Sequence, residues 1–98
     1  MDYEIVWSDR ALTTLEEVLG TVADDNPPAA DRLRTDLLAA VGVLARLPFI
    51  GPAWERDRGG RIREILSLPY RVFYRVVEPA RRVEVLLVWH SSRQEPRL

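Results

Sequence analysis

Two short segments of the sequence carry residues that could bind anions or transfer protons. In PYRVFYRV, residues 69–76, Arg71 and Arg75 alternate with apolar residues, and their planar guanidinium groups suit carboxylates and phosphates. In WHSSR, residues 89–93, His90 is the only histidine of the chain and the side chain best suited to titrate near neutral pH. The sequence therefore contains a candidate anion-binding strand and a candidate general acid or base.

Both segments also have an ordinary structural explanation. Arginines on an exposed sheet face are often simply solvated, and a histidine at a strand end often bonds to nearby backbone. Ser91 and Ser92 follow His90, but adjacent residues of an extended chain point in opposite directions, which disfavours a serine nucleophile with His90 as its base. With one histidine, no cysteine and no phosphate-binding glycine pattern, we expect neither a metal nor a cofactor.

Hydrophobic periodicity predicts a strand and two helices in the first half of the chain. Residues 3–7 are rich in β-branched and aromatic types and predict a short strand, after which Ser8 can cap a helix over about residues 9–23. Asn26 before two prolines predicts the start of a second helix, which should end near Leu47, ahead of the next proline. The expected apolar stripe of the first helix comprises Leu12, Leu15, Leu19 and Val22.

The second half of the chain predicts three strands. The runs RIREILSL, YRVFYRVV and VEVLLVW follow a loop over residues 48–60, and the short links between them favour antiparallel pairing. The first run should lie at the edge of the sheet and the third in its interior. We therefore expect one α+β domain over residues 1–98, in the order β-α-α-β-β-β, with a helical hairpin packed on one face of a small, mostly antiparallel sheet.

This arrangement predicts which face of the sheet is open. Alternation along the central run directs four apolar or aromatic residues towards the helices, namely Tyr70, Val72, Tyr74 and Val76. It directs the opposite set outward, beside two arginines of the preceding run, and this set comprises Arg71, Phe73 and Arg75 with Arg61 and Arg63. A basic face with an exposed aromatic ring could bind phosphates and stack a base, or bind an acidic protein.

Charge is unevenly distributed along the chain. The formal net charge is −1, but residues 1–55 carry 4 arginines against 10 acidic residues, whereas residues 56–98 carry 10 arginines against 5. The two parts therefore have net charges of −6 and +5, and the second part is the one expected to bind an anionic partner. No apolar stretch is long enough to span a bilayer and no secretion signal precedes the first strand, so we expect a cytoplasmic protein without membrane contact.

The motifs resemble those of a known family. The Arg63-Glu64 strand, the block PYRVFYRV and the closing VEVLLVWHSSR, in this order after two helices, resemble the RelE/ParE family of bacterial toxins from type II toxin–antitoxin modules. NPPAADRLRTDLLAAVGVLARLPFIG also resembles the second helix of that family and its exit. The resemblance covers nearly the whole chain. It implies a growth inhibitor that is neutralised by a cognate antitoxin in a hetero-oligomeric complex.

The family has two branches with different activities. One branch cuts messenger RNA on the ribosome, and the other inhibits DNA gyrase without cutting nucleic acid. The resemblance matches Arg71 to an arginine that contacts the scissile phosphate in cutting members and His90 to a histidine that some of them use. It matches Arg63 and Arg93 to basic positions found in both branches. The residues expected to bind the target are Arg61, Arg63, Arg71, Phe73, Arg75 and Arg93.

Departures from the cutting pattern favour the gyrase branch. Lysines used by some cutting members and a second histidine are absent, and arginine is a poor proton shuttle because its very high pKa keeps it protonated. The total charge is also low for a protein that must bind ribosomal RNA. The alternatives are a ribosome-dependent endonuclease that uses Arg71 and His90, and an inactive member that only binds a partner.

Overall fold

The computed structural model describes residues 2–98 and shows the predicted order of elements. These elements are β1 (Glu4–Trp7), α1 (Asp9–Asp25), α2 (Pro27–Val43), β2 (Ile62–Ser67), β3 (Tyr70–Val77) and β4 (Arg82–His90). The strands form one sheet in the order β1-β4-β3-β2, in which β1 runs parallel to β4 and the other pairs are antiparallel. The predicted α+β fold is confirmed, with β2 at an edge and β4 in the interior.

Capping residues define the starts of both helices. Ser8 Oγ accepts a hydrogen bond from the backbone N–H of Ala11 at 3.0 Å, and Asn26 Oδ1 accepts one from Ala29 at 3.1 Å. Two prolines occupy the first positions of α2, where a missing N–H costs nothing. These caps are the predicted ones, and they separate α1 from α2 by the single residue Asn26.

The end of α2 and the apolar stripe of α1 differ from the prediction. The helix ends at Val43 rather than near Leu47, because the chain tightens into bonds between residues three apart, and Leu47 is 53% exposed. In α1, Leu12 is 45% exposed and the fully buried Ala11 takes its expected place against the sheet. The second helix therefore ends about one turn earlier than predicted, and the buried stripe of α1 begins one residue earlier.

The core lies between the helices and one face of the sheet. Apolar residues of α1 and α2 pack on the residues of β3 and β4 that point towards them, and the buried members of this cluster are Ala11, Leu15, Leu19, Leu37, Val41, Tyr70, Val72, Val85 and Val88. Tyr74 lies in an adjoining buried cluster with Leu44 and Val83. The prediction that Tyr70, Val72 and Tyr74 face the helices is therefore confirmed. Val76 packs partly buried against the same cluster.

The opposite face of the sheet, which we call the outer face, is covered by the chain itself. Phe73 points to this face as predicted, but its predicted exposure is wrong, because Trp54 packs edge-on over it with ring centres 5.0 Å apart. The loop that carries Trp54 is bonded to the free edge of β2, where Trp54 N–H donates to Ile62 at 2.8 Å and Glu64 N–H donates to Pro52 at 3.1 Å. Phe73 therefore offers no surface for stacking.

Residues 91–98, here called the C-terminal segment, fold back over the same face. Trp89 Nε1 donates to the carbonyl of Gln94 at 2.9 Å, and Arg10 Nη1 donates to the carbonyl of Arg97 at 2.7 Å. Pro96 between these two anchors is buried. The outer face thus lacks the open central surface that alternation predicts. Across residues 2–98, no helix has the length and apolar character needed to cross a bilayer.

Candidate functional site

Arg71, the second residue of β3, lies on the outer face near one end of the sheet and is held by two carboxylates. It pairs in register with Trp89, so both side chains point away from the helices. Its Nε lies 3.0 Å from Glu64 Oε1 and its Nη1 lies 2.8 Å from Glu95 Oε2. The guanidinium also lies over the ring of Phe73, 4.8 Å from the ring centre, which leaves the side chain only 12% exposed.

The electrostatics of this cluster favour the charged forms of Arg71 and Glu95. Burial opposes the charge of Arg71, but the hydrogen bonds that its guanidinium donates to Glu95 and Glu64 outweigh this effect and raise the arginine pKa. The bond to Arg71 in turn lowers the pKa of Glu95, and the nearby indole of Trp54 lowers it further. Trp54 Nε1 is buried, and no acceptor within residues 2–98 meets hydrogen-bond geometry with it. Because Glu64 and Glu95 both pair with Arg71, the charge of this arginine is already neutralised by the protein's own acids.

His90 lies on the other side of the sheet, facing the helices. It pairs in register with Tyr70, and the two rings meet edge to face with centres 5.2 Å apart. Together with Arg93 and with Thr21 of α1 they line a cavity of about 310 Å³. His90 Nδ1 accepts the backbone N–H of Ser92 at 3.0 Å, and because a backbone N–H can only donate, the ring proton lies on Nε2. The local backbone bond expected of a strand-end histidine is thus present.

The predicted catalytic pair is therefore divided by the sheet. Arg71 and His90 are on neighbouring strands, but their register partners, Trp89 and Tyr70, point to opposite faces. Groups that share one proton-transfer reaction must lie within hydrogen-bond reach of the same reacting atoms. These two side chains do not meet that requirement.

Arg63 and Arg93 have surroundings that differ from those of Arg71. Arg63 pairs in register with Tyr74 and so lies on the helix side, which makes its predicted outward position wrong. Its Nη1 donates to the carbonyl of Gly51 at 2.7 Å and its guanidinium lies 5.0 Å from the ring centre of Phe49. Arg93 stacks on Trp89 with its guanidinium carbon 3.7 Å from the ring centre.

Arg61, Arg63 and Arg75 are the predicted residues that the fold brings together. Arg61 and Arg75 line the same two neighbouring cavities at one end of the sheet, and Arg63 lines the second of them. Arg75 is half exposed, and its Nε contacts Glu84 Oε1 at 2.6 Å, which lowers the pKa of that carboxyl. Arg61 is exposed, and no carboxylate of residues 2–98 lies within salt-bridge distance of it.

Some residues that contact the candidate site residues were not predicted from the sequence. Ser92 Oγ lies 2.7 Å from His90 Nδ1, because a turn after β4 replaces the extended chain and brings a residue two positions on back towards the ring. Glu95 reaches Arg71 across 24 positions, and no local pattern signals such a contact. Within residues 2–98 there is also no group of three or more His, Asp or Glu side chains that could hold a metal ion.

Comparison with known proteins decides the family. Residues 5–95 match the family described as ParE toxin of type II toxin–antitoxin system, parDE. The chain belongs to the ParE toxin family. It is also 34% identical over 99 residues to Y4kP of Sinorhizobium fredii, named as a candidate toxin, with 96% of this chain and 94% of that protein covered. The resemblance of the motifs to RelE/ParE toxins is thus confirmed.

Solved structures share the ParE-family fold at low sequence identity. The chromosomal ParDE toxin–antitoxin system of P. aeruginosa matches with a TM-score of 0.75 and 16% identity, covering 90% of this chain and 95% of that one. The RelBE2 toxin–antitoxin complex of Mycobacterium tuberculosis matches with a TM-score of 0.66 and 21% identity, over 92% and 99% of the two chains. The isolated E. coli RelE toxin matches with a TM-score of 0.60 and 21% identity, over 95% and 88%.

Proposed function

We propose that this ParE-family toxin inhibits growth by binding DNA gyrase and is neutralised by a cognate antitoxin in a hetero-oligomeric complex. The observation that carries the choice of target is the separation of Arg71 and His90 by the sheet. RNA cleavage needs a base for the ribose hydroxyl, an acid for the leaving oxygen and a cation on the phosphate, all at one point. A protein that acts by binding alone needs no such convergence.

The state of Arg71 supports the same proposal. Glu64 and Glu95 occupy the guanidinium, so a scissile phosphate would first have to displace both carboxylates. The family description also names the parDE type of module. Both observations favour a binding protein over a nuclease.

One observation favours the endonuclease alternative. His90 and Arg93 line the same cavity, and Tyr70 adds a further polar group to its lining. An arginine other than Arg71 could therefore place a cation beside the histidine. The proposal of an inactive family member that only binds a partner is distinguished from both by the absence of toxicity.

The test is to express the chain without an antitoxin and separate the two activities. We expect growth arrest with DNA breaks and with inhibition of supercoiling by purified gyrase, and no cuts in messenger RNA by primer extension. His90→Gln should remain toxic, because the side chain has no part in gyrase binding under this proposal. Messenger RNA cuts that disappear in His90→Gln would instead establish the endonuclease, and an absence of arrest would support the inactive member.

An exposed apolar groove supports the antitoxin as a partner. Val43 of α2, Ile50 of the following loop and Leu66 of β2 line a cavity of about 410 Å³, and Leu68 nearby is 76% exposed. Contiguous apolar surface of this kind marks interaction sites. Leu66→Asp should prevent co-purification of a co-expressed antitoxin while the fold persists. Leu12→Asp, at an exposed position of α1, should leave co-purification unchanged. Equal recovery with both variants would place the antitoxin elsewhere.

A further inference from the structure

Four arginines line two neighbouring cavities at one end of the sheet, and Arg61 and Arg75 line both of them. Arg10 of α1, Arg61 and Arg75 line a cavity of about 470 Å³. Arg61 and Arg75 also line the adjoining cavity of about 740 Å³, together with Arg63 and the ring of Phe49. We call this surface the arginine cleft and define it by Arg10, Arg61, Arg63 and Arg75.

The acidic residues of the cleft leave its positive charge available. Asp57 accepts backbone N–H groups of Ile62 at 2.8 Å, Arg61 at 2.7 Å and Gly59 at 3.4 Å, and these bonds, led by Ile62, lower its pKa. Asp57 therefore stabilises the loop over residues 57–62. Its carboxylate attracts the Arg61 guanidinium only at longer range. Glu78 lines the second cavity without an ion pair to any arginine of the cleft among residues 2–98.

Donor groups in the cleft remain unused. Within residues 2–98 the guanidinium of Arg61 has no hydrogen-bond partner, and Arg75 is bonded to Glu84 only through Nε, so its two terminal nitrogens are unused. Arg10 uses Nη1 alone, on the carbonyl of Arg97. Arg71 is different, since both Glu64 and Glu95 bind it. The cations with spare donors are therefore those of the cleft, and Arg71 is not one of them.

An aromatic ring beside these cations suggests the kind of anion. Phe49 is 46% exposed, and the guanidinium of Arg63 covers it at 5.0 Å from the ring centre. A groove of cations that follows a phosphate backbone, with an aromatic surface for unpaired bases, is the usual design of single-strand binding sites. A peptide rich in carboxylates could pair with the guanidinium groups but has no base to stack on the exposed ring.

We propose that the arginine cleft binds the phosphodiester backbone of a nucleic acid strand, with Phe49 and the Arg63 guanidinium stacking an unpaired base. Guanidinium groups bind phosphate through pairs of parallel N–H bonds, which Arg61 and the terminal nitrogens of Arg75 can supply. The site lies apart from Arg71 and His90, so it implies binding without cleavage. It is independent of the choice of gyrase as target, because it is a property of the isolated chain.

The test is fluorescence anisotropy of the full chain with labelled single-stranded DNA, single-stranded RNA of the same sequence, and duplex DNA. The affinity for single strands should fall as the salt concentration rises. The expected slope of log K against log salt is about −2, for one phosphate contact each at Arg10, Arg61 and Arg75. Arg61→Gln should weaken binding about tenfold and reduce the slope by about one contact. The preferred strand then identifies which nucleic acid supplies the phosphodiester.

Matched variants separate the cleft from general charge attraction. Arg32→Gln removes the same charge from an exposed position of α2 that lines neither cavity, and it should leave binding unchanged. Phe49→Leu should weaken single-strand binding without changing the salt slope, because it removes stacking and no charge. Equal losses in Arg61→Gln and Arg32→Gln, or binding of a polyglutamate peptide but not of nucleic acid, would overturn the proposal. Normal strand binding by a chain that leaves gyrase unaffected would refute only the proposed target.

Discussion

The two faces of the sheet are both covered, but by different means. On the helix side, α1 and α2 bury a continuous apolar cluster that includes the fully buried Leu37. On the outer face, the cover consists of Trp54 on a loop and of the C-terminal segment, which is fixed through Arg71 and Glu95. Apolar burial scales with area, whereas partly exposed ion pairs contribute at most about 1 kcal/mol each. The helix side therefore holds the larger apolar core, and the C-terminal segment is the more weakly attached part of the outer cover.

The largest expected effect tests whether the outer face has a true core of its own. Phe73→Ala should lower the free energy of unfolding by about 3–5 kcal/mol, because Phe73 is fully buried beneath Trp54. Leu37→Ala on the helix side is the matched comparison, with an expected loss of about 2–5 kcal/mol. Urea denaturation measures both. A loss below about 1 kcal/mol for Phe73→Ala would mean that the face is open, as alternation alone predicts.

A smaller effect is expected where the loop contacts the sheet. A Cβ at Gly51 would lie 2.5 Å from the carbonyl oxygen of Glu64 and 2.7 Å from the hydroxyl of Tyr74, which bonds to the Gly51 N–H. Gly51→Ala should therefore lower the free energy of unfolding by about 1–3 kcal/mol through overpacking.

A helical glycine provides the control for this change. Gly20 of α1 has open space at its Cβ position, so Gly20→Ala should raise the free energy of unfolding by up to about 1 kcal/mol. Thermal unfolding of the two variants should therefore shift in opposite directions. A neutral Gly51→Ala would show that the loop moves away from Glu64 at little cost.

The same contrast explains what the sequence could predict. The caps Ser8 and Asn26 and the alternation from Tyr70 to Val76 are local patterns, and all of them hold in the structure. The cover of the outer face depends on Trp54, which lies in a loop without periodicity. Local patterns specify the direction of a side chain but not what the rest of the chain places above it.

The predicted arrangement of the site residues differs from the structure for a related reason. Arg63 lies on the helix side because Ile62 pairs with Arg75, and the strand register is set by the whole hairpin rather than by the alternation within one run. Arg71 and His90 both lie in predicted strands. The pairing of Arg71 with Trp89, next to His90, nevertheless places their side chains on opposite faces of the sheet. Sequence reasoning identified reactive types but could not determine which of them share a surface.

The next effect concerns the ion pairs that attach the C-terminal segment. Arg71→Gln should lower the free energy of unfolding by about 1–2 kcal/mol, since it leaves Glu64 and Glu95 close together without a cation. Arg75→Gln is the control, with a smaller loss of below about 1 kcal/mol because its side chain is 51% exposed. Exchange of the Trp89 indole N–H, measured by NMR, should accelerate in Arg71→Gln alone. Slow exchange in both variants would show that the segment is held by other contacts.

The smallest effect is the pH dependence of the same attachment. The bond to Arg71 lowers the pKa of Glu95 below its ordinary value of 4.5, so the contribution of Glu95 is complete above that value and is lost as the pH falls through the lowered one. The exchange of the Trp89 indole N–H should therefore accelerate only in acid, and Glu95→Gln should show the faster exchange at neutral pH. The bond to Arg75 also lowers the pKa of Glu84, but Glu84 pairs with Arg75 and Arg82 rather than with the segment, so Glu84→Gln should leave the Trp89 signal unchanged. An acid response that persists in Glu95→Gln would assign the attachment to a different group.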